Sequence, residues 1–150
     1  MIVLNIQTKY LGNVEIEESK IIHFPSGIPG FLDELDFVLL DIPGNPIFQF
    51  LQSVKSEELA FVVVNPYQFY QQYTIELDDT TINTLDIKSE KDVLVLTIVT
   101  VKEPFESSTM NLKAPIVINL EKMLGKQYIL NTDDYQSKAS IKSATAQKGV

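Results

Sequence analysis

Apolar residues recur along this chain in short runs, mostly at the spacing of strands. NVEIE (13–17) alternates Val14 and Ile16 with Glu15 and Glu17, the period of two that a half-buried strand shows. IVLNIQ (2–7), KIIHF (20–24) and DFVLLDI (36–42) read as strands of similar length. Pro43-Gly44-Asn45-Pro46 is a compact turn signal that predicts a hairpin between DFVLLDI and IFQFLQ (47–52). LAFVVVN (59–65) is a buried strand by composition and is stopped by Pro66. VLVLTIVTV (93–101) is the strongest strand, rich in β-branched residues throughout. PIVINL (115–120) and QYIL (127–130) flank EKMLGK, where Gly125 is placed to close one helical turn. One brief helix is predicted: Asp78 or Asp79 caps it, and Ile82 and Leu85 share a face.

Roughly eight to ten short strands, Pro/Gly turns and one or two short helices predict an all-β fold. The expected form is a small closed or nearly closed antiparallel barrel, with a sandwich as the other arrangement of such strands. The barrel domain is placed at residues 1–131. From Thr132 the composition turns to Ser, Ala, Lys, Gln and Asp, so 132–150 is expected to be a flexible polar tail, or a helix formed only on binding. HFPSGIPGF (23–31) then reads as a rigid corner between strands, with Phe24 and Phe31 anchoring its ends in the core. Pro29-Gly30 suits the two central positions of a type II turn. Ile28 at the apex requires an apolar partner, inside the protein or outside it.

The totals narrow the classes of function. No apolar run is long enough for a membrane-spanning helix, and MIVLNIQTKYLGN lacks the basic start and cleavage site of a signal peptide. With no cysteine there is no disulfide, thiol nucleophile or thiolate metal site, and a cytoplasmic location is expected. The net charge is −8 and all twelve basic residues are lysine. A chain without arginine and without a basic footprint is a poor candidate for binding nucleic acid directly. Residues 1–112 hold six lysines against seventeen acids, and residues 113–150 six against three. An acidic body of this kind either keeps the protein soluble or complements a basic partner.

Candidate chemistry is sparse. His23 is the single histidine, lies among Ile21, Ile22 and Phe24, and has no second histidine at metal-binding spacing; a hydrogen-bonded structural histidine is expected. Ser26 has phenylalanine where a nucleophile elbow needs glycine, and Gly125-Lys126 lacks the upstream glycine of a phosphate loop. Adjacent acids (Asp33/Glu34, Glu57/Glu58, Asp78/Asp79, Glu103/Glu106, Asp133/Asp134) are ordinarily solvated turns, although two facing carboxylates are what a glycosidase uses. No cofactor or metal is expected. NPYQFYQQY (65–73) places Tyr67, Phe69 and Tyr73 at one parity with Tyr70 opposite, which reads equally as a barrel-capping edge strand or as a partner-binding patch.

Taken in order, TKYLG, IIHFPSGIPGF, DFVLLDI-PGNPIF-QFLQSV, ELAFVVVNP, APIVIN and GKQYIL resemble the FliW family of bacterial flagellar assembly factors. The resemblance runs from about Ile6 to Leu130 and leaves out the tail. It implies a small β-barrel-like protein without catalytic activity that works as a partner switch in the cytoplasm. In that family FliW binds newly made flagellin. It also binds CsrA, a small basic dimer that represses translation of flagellin mRNA, away from the surface that grips RNA. The implied flagellin-facing positions are Ile28, Pro29, Phe31, Asn65, Pro66 and Phe69. The acids proposed for CsrA are Asp33, Glu34, Glu57 and Glu58, because negative potential steers a basic partner. A monomer is expected. The alternative is a small-ligand or carbohydrate-processing barrel that uses paired carboxylates in its mouth.

Overall fold

A computed structural model describes residues 1–141 of the chain. Strands β1 (Val3–Thr8) and β2 (Gly12–Glu17) form an antiparallel hairpin of their own. The second sheet is built from β3 (Ile22–His23), β4 (Asp36–Ile42), β5 (Asn45–Ser53), β6 (Ala60–Val64), β7 (Val93–Thr100), β8 (Thr109–Met110), β9 (Ile116–Asn119), β10 (Leu124–Gln127) and β11 (Ala139–Ser140). Its order is β11-β8-β7-β6-β5-β4-β3-β10-β9, and β9 pairs back onto β7. That return closes a ring of seven strands, the nearly closed barrel the sequence predicts. Closure leaves few free edges for unwanted pairing. One contact departs from the expected antiparallel pattern: β10 lies parallel to β3, with Leu124 opposite His23.

The alternation of side chains sorts the core into three clusters. Phe37, Leu51, Val63, Leu96, Ile116 and Ile118 form one with Ile22, Phe24 and Ile28, and fill the ring. Residues of the other parity, including Val64, Val95, Val99 and Val117, pack outward against Tyr73, Leu85, Leu112 and Leu130. Val38 and Leu40 pack outward against Ile6 and Ile16 of the β1–β2 hairpin. Strands β6, β7 and β9 are therefore covered on both faces, which is why their sequences are apolar without alternation. Helix α1 (Asp79–Thr84) lies in the outer layer, with the Asp78 carboxylate accepting from the Thr81 N–H at 2.8 Å as its cap.

Several expectations are corrected. KIIHF supplies only the two residues of β3, and the strand placed at 127–130 lies at Leu124–Gln127. Gly125 is thus a strand residue rather than the close of a helical turn. A Cβ there would sit 2.7 Å from the Phe24 ring, so only glycine lets β10 pass over that ring. The boundary at residue 131 is also too early. Ala139 and Ser140 pair with β8, Ala139 and Ile141 are buried, and the Tyr135 ring lies 4.6 Å from that of Tyr73. Residues 132–141 belong to the packed body, and the remainder of the expected tail, 142–150, lies outside the described residues.

Candidate functional site: two ends of one barrel

The loop from β3 to β4 forms a tight corner. The Phe31 N–H donates to the Ile28 carbonyl at 2.7 Å, and Gly30 has φ +90°, as a turn with proline first and glycine second requires. Phe24 donates to the Leu35 carbonyl at 2.7 Å and closes the loop at its base. Ile28, at 1% exposure, points into the barrel core beside Phe24, so its partner is internal. Phe31 is the opposite of what the sequence suggests. It is 42% exposed, with its ring edge-on to Phe61 at 5.6 Å, and does not anchor the loop in the core. Pro29 and Leu32 are exposed beside it, and Leu35 is partly so.

The two acidic pairs, separated by more than twenty positions in sequence, meet at this corner. Glu34 accepts from the Ser53 hydroxyl at 2.5 Å and from the Ser56 hydroxyl at 3.0 Å, tying its loop to the β5–β6 turn that carries Glu57 and Glu58. The Ser53 bond first, and the Ser56 bond with it, holds the Glu34 carboxyl below the usual glutamate range, against a smaller opposing effect of burial. Behind the turn, the Gln52 amide is buried and faces the carbonyls of Ser53, Ser56, Glu57 and Leu59 at 3.1–3.2 Å, while its oxygen accepts from the Lys9 N–H. Asp33, Glu57 and Glu58 are exposed, and their carboxylates have no bonded partner among the described residues. His23 donates from Nδ1 to the Asp36 carboxylate at 2.8 Å on the polar side of the seam, as a structural histidine. The corner therefore presents Pro29, Phe31 and Leu32 in an acidic rim. Gln52, Ser53 and Ser56, which organise it, carry no sequence signal of that role; Leu32 and Leu35 were detectable as leucines interleaved with acids in FLDELDF.

Asn65, Pro66 and Phe69 lie at the other end of β6. NPYQFYQQY is not a strand: Asn65 accepts from the Tyr67 N–H at 2.9 Å and Pro66 opens a short 3-10 turn, Pro66–Gln68. Pro66 is buried, and the half-buried Phe69 packs against Phe48. Tyr73 is buried, donates to the Leu112 carbonyl at 2.7 Å, and has its ionisation pushed up by burial. Of these aromatics Tyr67 alone is exposed. The six positions chosen for one apolar surface thus divide between the two ends of the barrel, and Ile28 and Pro66 present no side chain to solvent.

After Tyr73 the chain runs as a strap without regular structure to Asp78, with an open groove on each side. One groove of about 780 Å³ is lined by Asn65, Tyr67, Ile75, Leu77, Ile87 and Val95 among others. The other, of about 700 Å³, includes Glu76, Asp78, Tyr128, Asp134 and Tyr135. Among the described residues no group of three or more carboxylates and histidine is placed to hold a metal ion, and no helix is long and apolar enough to cross a membrane.

The ring is filled by apolar side chains, and the polar and exposed apolar groups are carried on loops at its ends. This is a small β-barrel scaffold that offers surfaces rather than an internal cleft. A family-wide profile described as FliW protein matches residues 5–141. The chain is 55% identical over 146 residues to the flagellar assembly factor FliW of Oceanobacillus iheyensis, covering 97% of this chain and 99% of that one. It is 49% identical over 136 residues to that of Bacillus subtilis, covering 91% and 95%. A crystal structure of the flagellar assembly factor FliW superposes with a TM-score of 0.85 at 46% identity, covering 92% and 96%. The chain belongs to the FliW family.

Proposed function

We propose that this flagellar assembly factor acts in the cytoplasm as a partner switch, binding flagellin and alternatively antagonising the translational repressor CsrA. The observation that carries the reading is the convergence of Asp33, Glu57 and Glu58 on one rigid corner around exposed Phe31 and Leu32. Unpaired carboxylates on a fixed turn steer a basic dimer and oppose RNA phosphates beside it without occupying the RNA surface. The exposed apolar tip supplies contact area that charge alone does not. Glu34 contributes to the field, but its oxygens are committed to Ser53 and Ser56, so its role is to hold the corner. The carbohydrate-processing alternative finds no support in a barrel whose interior is apolar.

The test is light scattering after size exclusion on the chain alone, with CsrA and with flagellin, at low and high salt. A discrete complex with each partner is expected, the CsrA complex weakening as salt rises. Glu57→Lys with Glu58→Lys is expected to weaken CsrA binding about tenfold or more while circular dichroism stays native. Unchanged CsrA affinity in that variant removes the corner from the interface.

A further inference from the structure

The strap and the first half of β7 both line the 780 Å³ groove. Along the strap, the Thr74 N–H donates to the Tyr135 hydroxyl at 3.0 Å and the Asp78 N–H to the Tyr128 hydroxyl at 3.2 Å, while the Glu76 carbonyl accepts from Tyr128 at 3.1 Å. Even-numbered residues are thus capped on the side of the second groove. The main-chain groups of Ile75 and Leu77, residues that line the first groove, are not held in this way. They have no partner among the described residues.

The facing edge is the first half of β7. β6 pairs with β7 only from Thr97 to Val99, because Pro66 turns the chain away after Val64. The Leu120 N–H donates to the Asp92 carbonyl, which sets the even residues of β7 toward β9 and turns Val93 and Val95 toward the position β6 has vacated. The Val93 N–H is satisfied by Glu90. The Val93 carbonyl and both main-chain groups of Val95 have no partner among the described residues.

We propose that this groove is a vacant strand position, which takes an extended peptide with alternating apolar residues and flanking basic ones. The peptide continues the line of β6, antiparallel to β7, and pairs with Val93 and Val95 on one side and with Ile75 and Leu77 on the other. Its apolar side chains lie against Ile82, Ile87 and Leu77. Charge selects the flanks. Lys88 is neutralised by Asp86 at 3.1 Å, whereas Glu76 and Glu90 at the groove carry no ion pair among the described residues. This inference uses neither the corner nor its partners and stands independently of the partner-switch reading.

The probe is a synthetic peptide, acetyl-Lys-Val-Thr-Val-Thr-Val-Lys-amide, titrated into the full chain and followed by amide hydrogen exchange and chemical shift. Binding is expected to slow exchange at Val95, Ile75 and Leu77. N-methylation of the central valine, which removes a main-chain donor, is expected to weaken binding about tenfold. Glu76→Lys with Glu90→Lys, both surface changes, should do the same without altering the fold. Absence of binding overturns the proposal, as does equal affinity for the N-methylated peptide or for the charge-reversed chain. Slow exchange at these amides in the peptide-free chain also overturns it: independent of protein concentration it identifies a segment of the same chain as the occupant, and rising with concentration a second copy.

Discussion

The two ends of β6 are built on opposite terms. At the Ala60 end the loops are closed by short main-chain bonds, by Glu34 gripping two serines and by a buried glutamine facing four carbonyls. Little backbone is left over, and what reaches solvent is side chain: carboxylates and an apolar tip. At the Asn65 end the strap is held by two tyrosine hydroxyls, and the main-chain groups of Ile75, Leu77 and Val95, beside an open groove, have no partner among the described residues. On the readings proposed above, the surface of fixed side chains reads charge and shape, and the one of open backbone reads an extended chain. One small barrel carries both without either disturbing its apolar centre.

The sharpest way to break this contrast is at the root of the corner. Phe24 is fully buried and packed under Gly125 and edge-on to Phe37 at 5.3 Å. Phe24→Ala is expected to cost about 3–5 kcal/mol of global stability, read by urea denaturation, because the corner is continuous with the barrel core. Tyr128→Phe deletes the hydroxyl that serves Glu76 and Asp78. It should cost about 1 kcal/mol, with faster amide exchange confined to residues 74–78. Exchange that quickens across the whole barrel instead would show that the strap is part of the same cooperative unit.

The smallest effect is electrostatic. Because the folded Glu34 carboxyl titrates below its ordinary value of 4.5, its contribution to stability is full above that pH. It is lost as pH falls through the lower folded value. Glu34→Gln is therefore expected to show a shallower loss of stability below about pH 4.5 than the parent chain. An identical pH profile in both chains would mean that the serine bonds do not persist in solution.

What could be read from the sequence follows the length over which each signal was repeated. The hairpin β1–β2 alternates over whole strands, and β6, β7 and β9 are nearly unbroken apolar runs, so their type was plain. So was the Pro29-Gly30 turn, since both residues have one conformational use. Strands β8 and β11 are two residues long, too short for any period, and β11 falls in a stretch whose polarity resembled a tail although Ala139 and Ile141 are buried. At 65–73 the spacing of aromatics imitated a strand while Asn65-Pro66 was a cap and first turn. The acidic corner was visible only as two separate pairs. Its assembly depends on Glu34 meeting Ser53 and Ser56 across about twenty residues, a contact with no local signature.

The parallel seam has a consequence for the order of events during synthesis. The ring closes only when β10 comes to lie beside β3, bringing Leu124 opposite His23, with the His23 N–H held by the Met123 carbonyl at 2.9 Å. About a hundred residues separate the two partners, and contacts so distant in sequence are slow to find. Phe24, the base of the acidic corner, lacks its Gly125 cover until then. The bonds that shape the corner all lie within residues 24–59, so they can form before the core beneath them is closed.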